Sequence, residues 1–522
     1  MFATRISTAV YHATRRVVPL ALAAGIAALA LYAYRGLPER PFAADDYQWL
    51  LNVRGLSLGQ VARPAFDPGM QTHFYRPLVW LLFWAQGQIF GLDPRGYHAV
   101  SLALHLLNAG LLGALAMRLP VARSWQPSVL AAAIVALHPA PFEAVVWISA
   151  QSELLAAALL LAMLHFWLAP PDAGRRTPEE HHQRCVAVGR WSFVVRPAVL
   201  LATFCLGLAL LTKESAVIGL PLLVVLGSAA QRGSRPRNGR SRQADNPSPP
   251  SVTRFARYAF PVLLTLAYSA VQVAVERRNY VWQSGGYGSG PQLVLNPLRS
   301  LALIVAPLPG TEHADASWLV PLGAIVGLAL LVLLVRGPWA ARRLVLALLL
   351  TLLPTAPFAS PPDSRYLYLP VLAAALLLAT GVGWAWERRS HPIPSPQYSA
   401  PTSLRYALFA VLCALLLVLT LAWVAAGELA AREGRFAAAS GPGGSLWSTA
   451  MTVCAQMRPE RMVIVEPPLA APHAEAIVHL ACGADVQPLV VGRDQVAAAI
   501  RPETVVIAFP NGSAVVEQRA RR

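Results

Sequence analysis

The sequence predicts an α-helical polytopic membrane protein that carries a small C-terminal α/β domain. Of its 522 residues, 56% are hydrophobic and only 13% charged, too apolar for a soluble chain of this length. Apolar runs long enough to span a bilayer, about 17 residues or more, recur along the chain. The arginines fall in short clusters between alternate runs. A formal net charge of +17 concentrated in one patch would suggest nucleic acid, but scattered in this way it reads as membrane topology, so nucleic acid is excluded as a partner and the bilayer takes its place.

The first span, Val17 to Tyr34, follows Arg5, Arg15 and Arg16. It is longer than a typical signal-peptide apolar region and shows no small-residue cleavage site before Arg35. It therefore reads as a retained signal anchor with its N-terminus inside. Further spans fall near 97-117, 127-147, 148-169, 197-213, 215-230, 258-275, 318-335, 343-359, 366-386 and 405-427. The clusters at Arg118 and Arg123, at 175-196, at 232-242, at Arg336 to Arg343 and at Arg388-Arg389 then share one side. Eleven helices result, and the odd number puts the C-terminus outside. Residues 1-427 form the transmembrane part, with outer loops 35-96 and 276-317 and a disordered basic cytoplasmic loop at 231-257. Within the first outer loop, 74-92 reads as an amphipathic interfacial helix anchored by Trp80 and Trp84. Residues 428-522 are soluble in character. Strands are expected at Arg461 to Glu466, Pro488 to Val491 and Thr504 to Ala508, with a helix over Ala474 to Cys482. Cys454 and Cys482 either form a disulfide there or stay as buried thiols.

Five charged groups escape the topology rule: Asp45-Asp46, His138 with Glu143, Glu153, Lys213-Glu214, and Asp363 with Arg365. In the eleven-helix topology all five fall at the outer ends of helices, and charge at membrane depth usually lines a cavity. Each also has a structural reading. The aspartates suit a helix N-terminus, His138 a helix end, Lys213-Glu214 a local ion pair, and Arg365 an interfacial anchor beside Tyr366 and Tyr368. Lys213 is the chain's only lysine.

The order of motifs carries a resemblance. Asp45-Asp46 is followed by YRPL (75-78), by Gly91-Leu-Asp-Pro-Arg-Gly-Tyr-His98 running on through His105 and Asn108, by LHPAPFEAVVWIS (137-149), by LTKES (211-215) and by RYLYLP (365-370). Over about residues 15 to 385 this resembles the GT-C class of polytopic glycosyltransferases. It is most similar to the protein O-mannosyltransferase group, in particular to the membrane part of the TPR-containing O-mannosyltransferases. The resemblance implies a polyprenyl-phosphate sugar donor and an acidic residue of the first outer loop acting on the acceptor. The residues suit such chemistry on their own terms. An acceptor hydroxyl attacking the anomeric carbon needs a carboxylate to take its proton, and the departing polyprenyl phosphate needs cations.

Asp46 or Asp45 would supply the base. Adjacent residues point differently and spacing does not choose, although Asp46 is the slight preference. Arg365 and Lys213 would bind the donor phosphate. Tyr75 and Arg76 would lie beside the carboxylates, with Arg76 holding one of them ionised. His138 and Glu143 would sit at the sugar or support the first loop, and Glu214 and Tyr366 complete the set. No cofactor is expected. A divalent metal on Asp45 and Asp46 is the less favoured reading, and there is no Cys/His zinc spacing. The TPR repeats are missing, so the acceptor stays open among a protein hydroxyl, a glycan sugar and a lipid headgroup. An inverting transfer at the outer face of a bacterial inner membrane is the expectation. A transporter or flippase for a polyprenyl-linked substrate is the alternative, and it predicts charges near mid-membrane and internal repeats.

Overall fold

The computed structural model describes residues 2–71, 74–119, 125–169, 197–233, 257–307, 317–390 and 401–519. The 231-257 loop lies outside these except at its edges. The chain opens with α1 (Phe2–Ala33), followed by α2 (Asp45–Val53), α3 (Leu58–Phe66) and α4 (Pro77–Phe90). Next come α5 (Pro94–Arg118), α6 (Gln126–Leu137), the single-turn α7 (Phe142–Val146), α8 (Gln151–Trp167), α9 (Pro197–Leu210) and α10 (Gly219–Gly233). The membrane part continues with α11 (Ala259–Glu276), the short α12 (Tyr280–Gln283), α13 (Gln292–Val305), α14 (Leu319–Arg336), α15 (Trp339–Leu352) and α16 (Tyr368–Ser390). Every one of the eleven predicted spans contains a helix. Among the described residues six segments are long and apolar enough to cross a bilayer by themselves, and the protein is a multi-pass membrane protein.

Within the 127-147 span the helix stops at Leu137, because Pro139 and Pro141 forbid continuation, and the chain makes a tight turn through α7. The helix expected from 215 likewise begins only at Gly219, after a 3-10 turn over Glu214–Ile218. Outer loop 276-317 contains a helix the sequence reading lacked, α13, which packs on α14. Gly323 makes that crossing close, since a Cβ there would clash with the Leu298 carbonyl oxygen. The core joins α1, α5, α6, α8, α9, α10 and α16 through Ala and Leu side chains, while leucines such as Leu20 and Leu328 cover the outer surface. In a bilayer these exposed leucines meet acyl chains.

Helix α17 (Pro401–Met457) runs unbroken past residue 428 into the C-terminal domain. There β1 (Arg461–Val465), α18 (Ala471–Cys482), β2 (Gln487–Val491), the short α19 (Val496–Ala499), β3 (Thr504–Ala508) and β4 (Val515–Arg519) form one sheet in the order β2-β1-β3-β4. The first three strands are parallel and β4 is antiparallel to β3. Cys454 and Cys482 form a disulfide with their Cα atoms 5.3 Å apart, tying α18 to the end of α17. This domain is docked on the first outer loop, with α18 packed on α2. Arg54 donates to the Leu480 carbonyl, Trp447 lies against Tyr47, and Arg40 meets Glu433 at 3.3 Å. The indoles of Trp80 and Trp84 donate to Gln71 and to the Leu56 carbonyl, so both of these expected interfacial anchors also knit the outer loop together.

Candidate functional site

Asp45 and Asp46 are the first two residues of α2, where the helix dipole favours negative charge. Successive helical residues point about 100° apart, and the two carboxyls have opposite fates. Asp46 is 1% exposed. Its Oδ2 accepts from the Ala43 N–H at 2.9 Å, and its Oδ1 accepts from the Ser149 N–H at 2.7 Å and from the Ser149 hydroxyl. It thereby locks α2 to the turn after α7. Burial pushes its carboxyl up to about 7 against those hydrogen bonds. With both its oxygens engaged, the two aspartates do not present two free carboxylates to one cation. Among the described residues no cluster of three or more His, Cys, Asp or Glu side chains could hold a metal.

The Asp45 side chain is 48% exposed, and Nε2 of His473 on α18 lies 2.9 Å from its Oδ1. Among the described residues its Oδ2 has no partner. Partial burial raises Asp45, but the hydrogen bond and charge of His473, with Arg365 and Arg76 beyond, hold it below the usual carboxylate range. The turn before it is strained: Ala44 has φ 46°, a conformation an alanine adopts at a cost of about 1–3 kcal/mol. Trp147 Nε1–H, donating to the Ala43 carbonyl at 3.2 Å, and the Asp46 bonds hold that turn in place.

Arg365 stands in the 3-10 turn Ser364–Leu367 before α16. It meets Asp363 at 2.6 Å and Glu143 at 3.7 Å, and its guanidinium lies over the rings of Trp147 (4.6 Å) and Tyr366 (4.8 Å). Glu143 also accepts from the Arg365 N–H and the Ser364 hydroxyl. Lys213 Nζ lies 5.1 Å from the same Tyr366 ring, so this tyrosine stands beside both cations. Lys213 is paired at 2.5 Å with Glu153 of α8, and both side chains are all but fully buried. Its neighbour Glu214 instead takes Arg76 in a bidentate pair at 2.8 and 2.7 Å. That corrects two expectations. Arg76 is clamped to Glu214 rather than to an aspartate, although its charge still reaches Asp45, and Lys213 pairs with Glu153 rather than Glu214.

A cavity of about 860 Å³ opens beside Lys213 and Tyr366. Lys213 lines it together with Glu153, Glu214 and Glu276 and with Tyr366, and much of the remaining wall is apolar, including Val217, Ile218, Leu350, Leu353 and Phe358. His138 and Tyr75 have structural partners. His138 Nε2 meets the Ile304 carbonyl at 2.9 Å while its Nδ1 accepts from the Ala140 N–H, which ties the α6 end to α13. The Tyr75 hydroxyl donates to the Phe66 carbonyl. Sequence reasoning missed His473 altogether, and it flagged Glu153 without its partner.

No protein-family model matches the chain, and no curated protein does. Solved structures do resemble it. The archaeal oligosaccharyltransferase AglB from Archaeoglobus fulgidus, in complex with an inhibitory peptide and a dolichol-phosphate, aligns at TM-score 0.50 and 11% identity over 91% of this chain and 65% of its own. The chain thus spans about two thirds of the length of that protein. ArnT from Cupriavidus metallidurans, bound to undecaprenyl phosphate, aligns at TM-score 0.46 and 14% identity over 96% of this chain and 94% of its own. At these identities the likeness is one of fold alone, shared with the oligosaccharyltransferase AglB.

Proposed function

We propose that this protein is a membrane glycosyltransferase that moves a sugar from a polyprenyl-phosphate donor to an acceptor hydroxyl, with Asp45 as the general base. One observation carries the reading. In the row of neighbours Asp45, Arg365, Tyr366, Lys213, the charge of Arg365 reaches an Asp45 carboxylate whose second oxygen has no partner among the described residues, Arg365 and Lys213 share the Tyr366 ring, and Tyr366 and Lys213 line a largely apolar cavity. The polyprenyl chain would occupy the apolar wall and the phosphate the end beside Lys213, which shares the Tyr366 ring with Arg365. AglB is in complex with an inhibitory peptide and a dolichol-phosphate, which supports pairing a lipid phosphate with an acceptor here.

The acceptor oxygen attacks the anomeric carbon while Asp45 Oδ2 takes its proton. The bond from that carbon to the phosphate oxygen breaks, its electron pair leaves on the polyprenyl phosphate, and Lys213 and Arg365 stabilise the added charge. One displacement inverts the anomeric centre. Asp46 shapes the loop that presents Asp45, reversing the preference drawn from sequence. Glu143 positions Arg365, and Glu214 positions Arg76. Placing this chemistry at the outer face of a bacterial inner membrane is supported by the disulfide in the domain that meets Asp45, since disulfides persist in oxidising compartments. The acceptor belongs to the class of protein, glycan or lipid hydroxyls. Purified protein incubated with polyprenyl-phosphate sugars should transfer or slowly hydrolyse the sugar, and Asp45→Asn should slow this by about 10²–10⁴-fold. Equal turnover by wild type and Asp45→Asn would overturn the assignment.

A further inference from the structure

Among the described residues the C-terminal domain meets the Asp45 carboxylate through one side chain, His473, 428 residues away in sequence. Docking does not depend on that contact, because Arg54, the Tyr47–Trp447 ring pair and the Arg40–Glu433 ion pair already hold the domain to the first outer loop. The contact's particular effect is on Asp45. An ionised carboxylate only accepts hydrogen bonds, so the His473 Nε2 must carry a proton, as it does in the imidazolium and in one neutral tautomer. The bond occupies Oδ1 and leaves Oδ2 open.

We propose that His473 is a positioning residue for Asp45: its Nε2–H fixes Oδ1 so that Oδ2 meets the acceptor hydroxyl, which makes the C-terminal domain part of the reaction centre. This rests on the glycosyltransferase reading above. The charged groups facing Asp45 are His473 from α18, Arg365 from the turn before α16, Arg76 from the start of α4, and Asp46 beside it on α2.

The test uses the purified full-length chain with the variants His473→Leu, His473→Gln, Asp45→Asn and the double His473→Leu/Asp45→Asn. Transfer is measured across pH, and unfolding midpoints are measured without any donor. Partners that orient a reacting group are worth about 10- to 100-fold. His473→Leu should therefore lower kcat by about tenfold or more, leave the donor KM unchanged, and move the acid limb of the rate profile upward. His473→Gln, whose amide can donate to the same oxygen, should recover most of the rate and the original limb. Wild-type kcat and an unmoved limb in His473→Leu would overturn the proposal, as would a Gln variant as slow as the Leu variant. If no donor turns over with the wild type, the glycosyltransferase reading fails. The midpoints then still decide the contact: a double variant that departs from additivity supports it, and strict additivity overturns it.

Discussion

Lys213→Met isolates one buried charge. At 2.5 Å and an effective dielectric near 20, the Lys213–Glu153 attraction is on the order of 7 kcal/mol. Desolvation of the two ions costs several kcal/mol each, so the pair's net contribution is near zero. Lys213→Met removes the attraction while Glu153 stays buried, and should cost about 3–5 kcal/mol. The double variant Lys213→Met/Glu153→Leu removes both charges, and should return close to wild-type stability or exceed it. Transfer should separate from stability. Both variants lose the cation proposed for the donor phosphate, so both should lose transfer even though the double variant folds well. Unfolding midpoints of purified protein, followed by tryptophan fluorescence, read the first quantity, and sugar release from the donor reads the second. A double variant that transfers at the wild-type rate would refute the phosphate role. A single variant as stable as wild type would refute the buried-pair argument.

Asp45→Asn should lower transfer by about 10²–10⁴-fold and leave the unfolding midpoint nearly unchanged, because the side chain is half exposed. The Asp46 carboxyl, held near 7 in the folded protein against 3.8 for the free group, makes the folded state the stronger proton binder. Its contribution to stability is complete below about pH 4 and is withdrawn as pH rises towards 7. Midpoints measured from pH 4 to 8 should show that fall, and Asp46→Asn should flatten it. Arg76→Lys cannot make the planar two-bond contact to Glu214 and should lower the midpoint, whereas a surface arginine such as Arg63 should tolerate the same change. Cys454→Ser/Cys482→Ser opens a loop with a sequence separation of 28 and should cost the domain about 3–4 kcal/mol, read as a lower midpoint that reductant no longer affects.

The strands β1 and β3 were legible because their Val and Ile runs are buried on both faces, as parallel strands require. Strand β4 was not, since Val515-Val-Glu-Gln-Arg519 is a half-polar edge. Helix α13 was hidden by Pro297 inside it, which reads as a break. The charged residues were legible one by one because charge among apolar residues stands out. Their pairing was not, since sequence spacing does not set which helices face one another across a bundle: Lys213 meets Glu153 sixty positions away. The burial of Asp46 was in fact written locally. Asp46, Leu50 and Val53 recur at helical spacing and all three are buried, so Asp46 belongs to the core face of α2 and Asp45 to the open one. His473 had no such local mark, because Ala471-Pro-His-Ala reads only as a helix start.

The order of synthesis gives the reach from Asp45 to His473 a temporal meaning. At about 5–20 residues per second, the 428 residues between them take roughly 20–90 s to translate. Throughout that interval the membrane helices are inserting and Asp45 has no imidazole beside it. The centre closes only after β1 has been made and α18 begins, so it is among the last parts of the chain to be completed. A chain cut short before residue 473 would hold every charge of the row from Asp45 to Lys213 and still lack its last member.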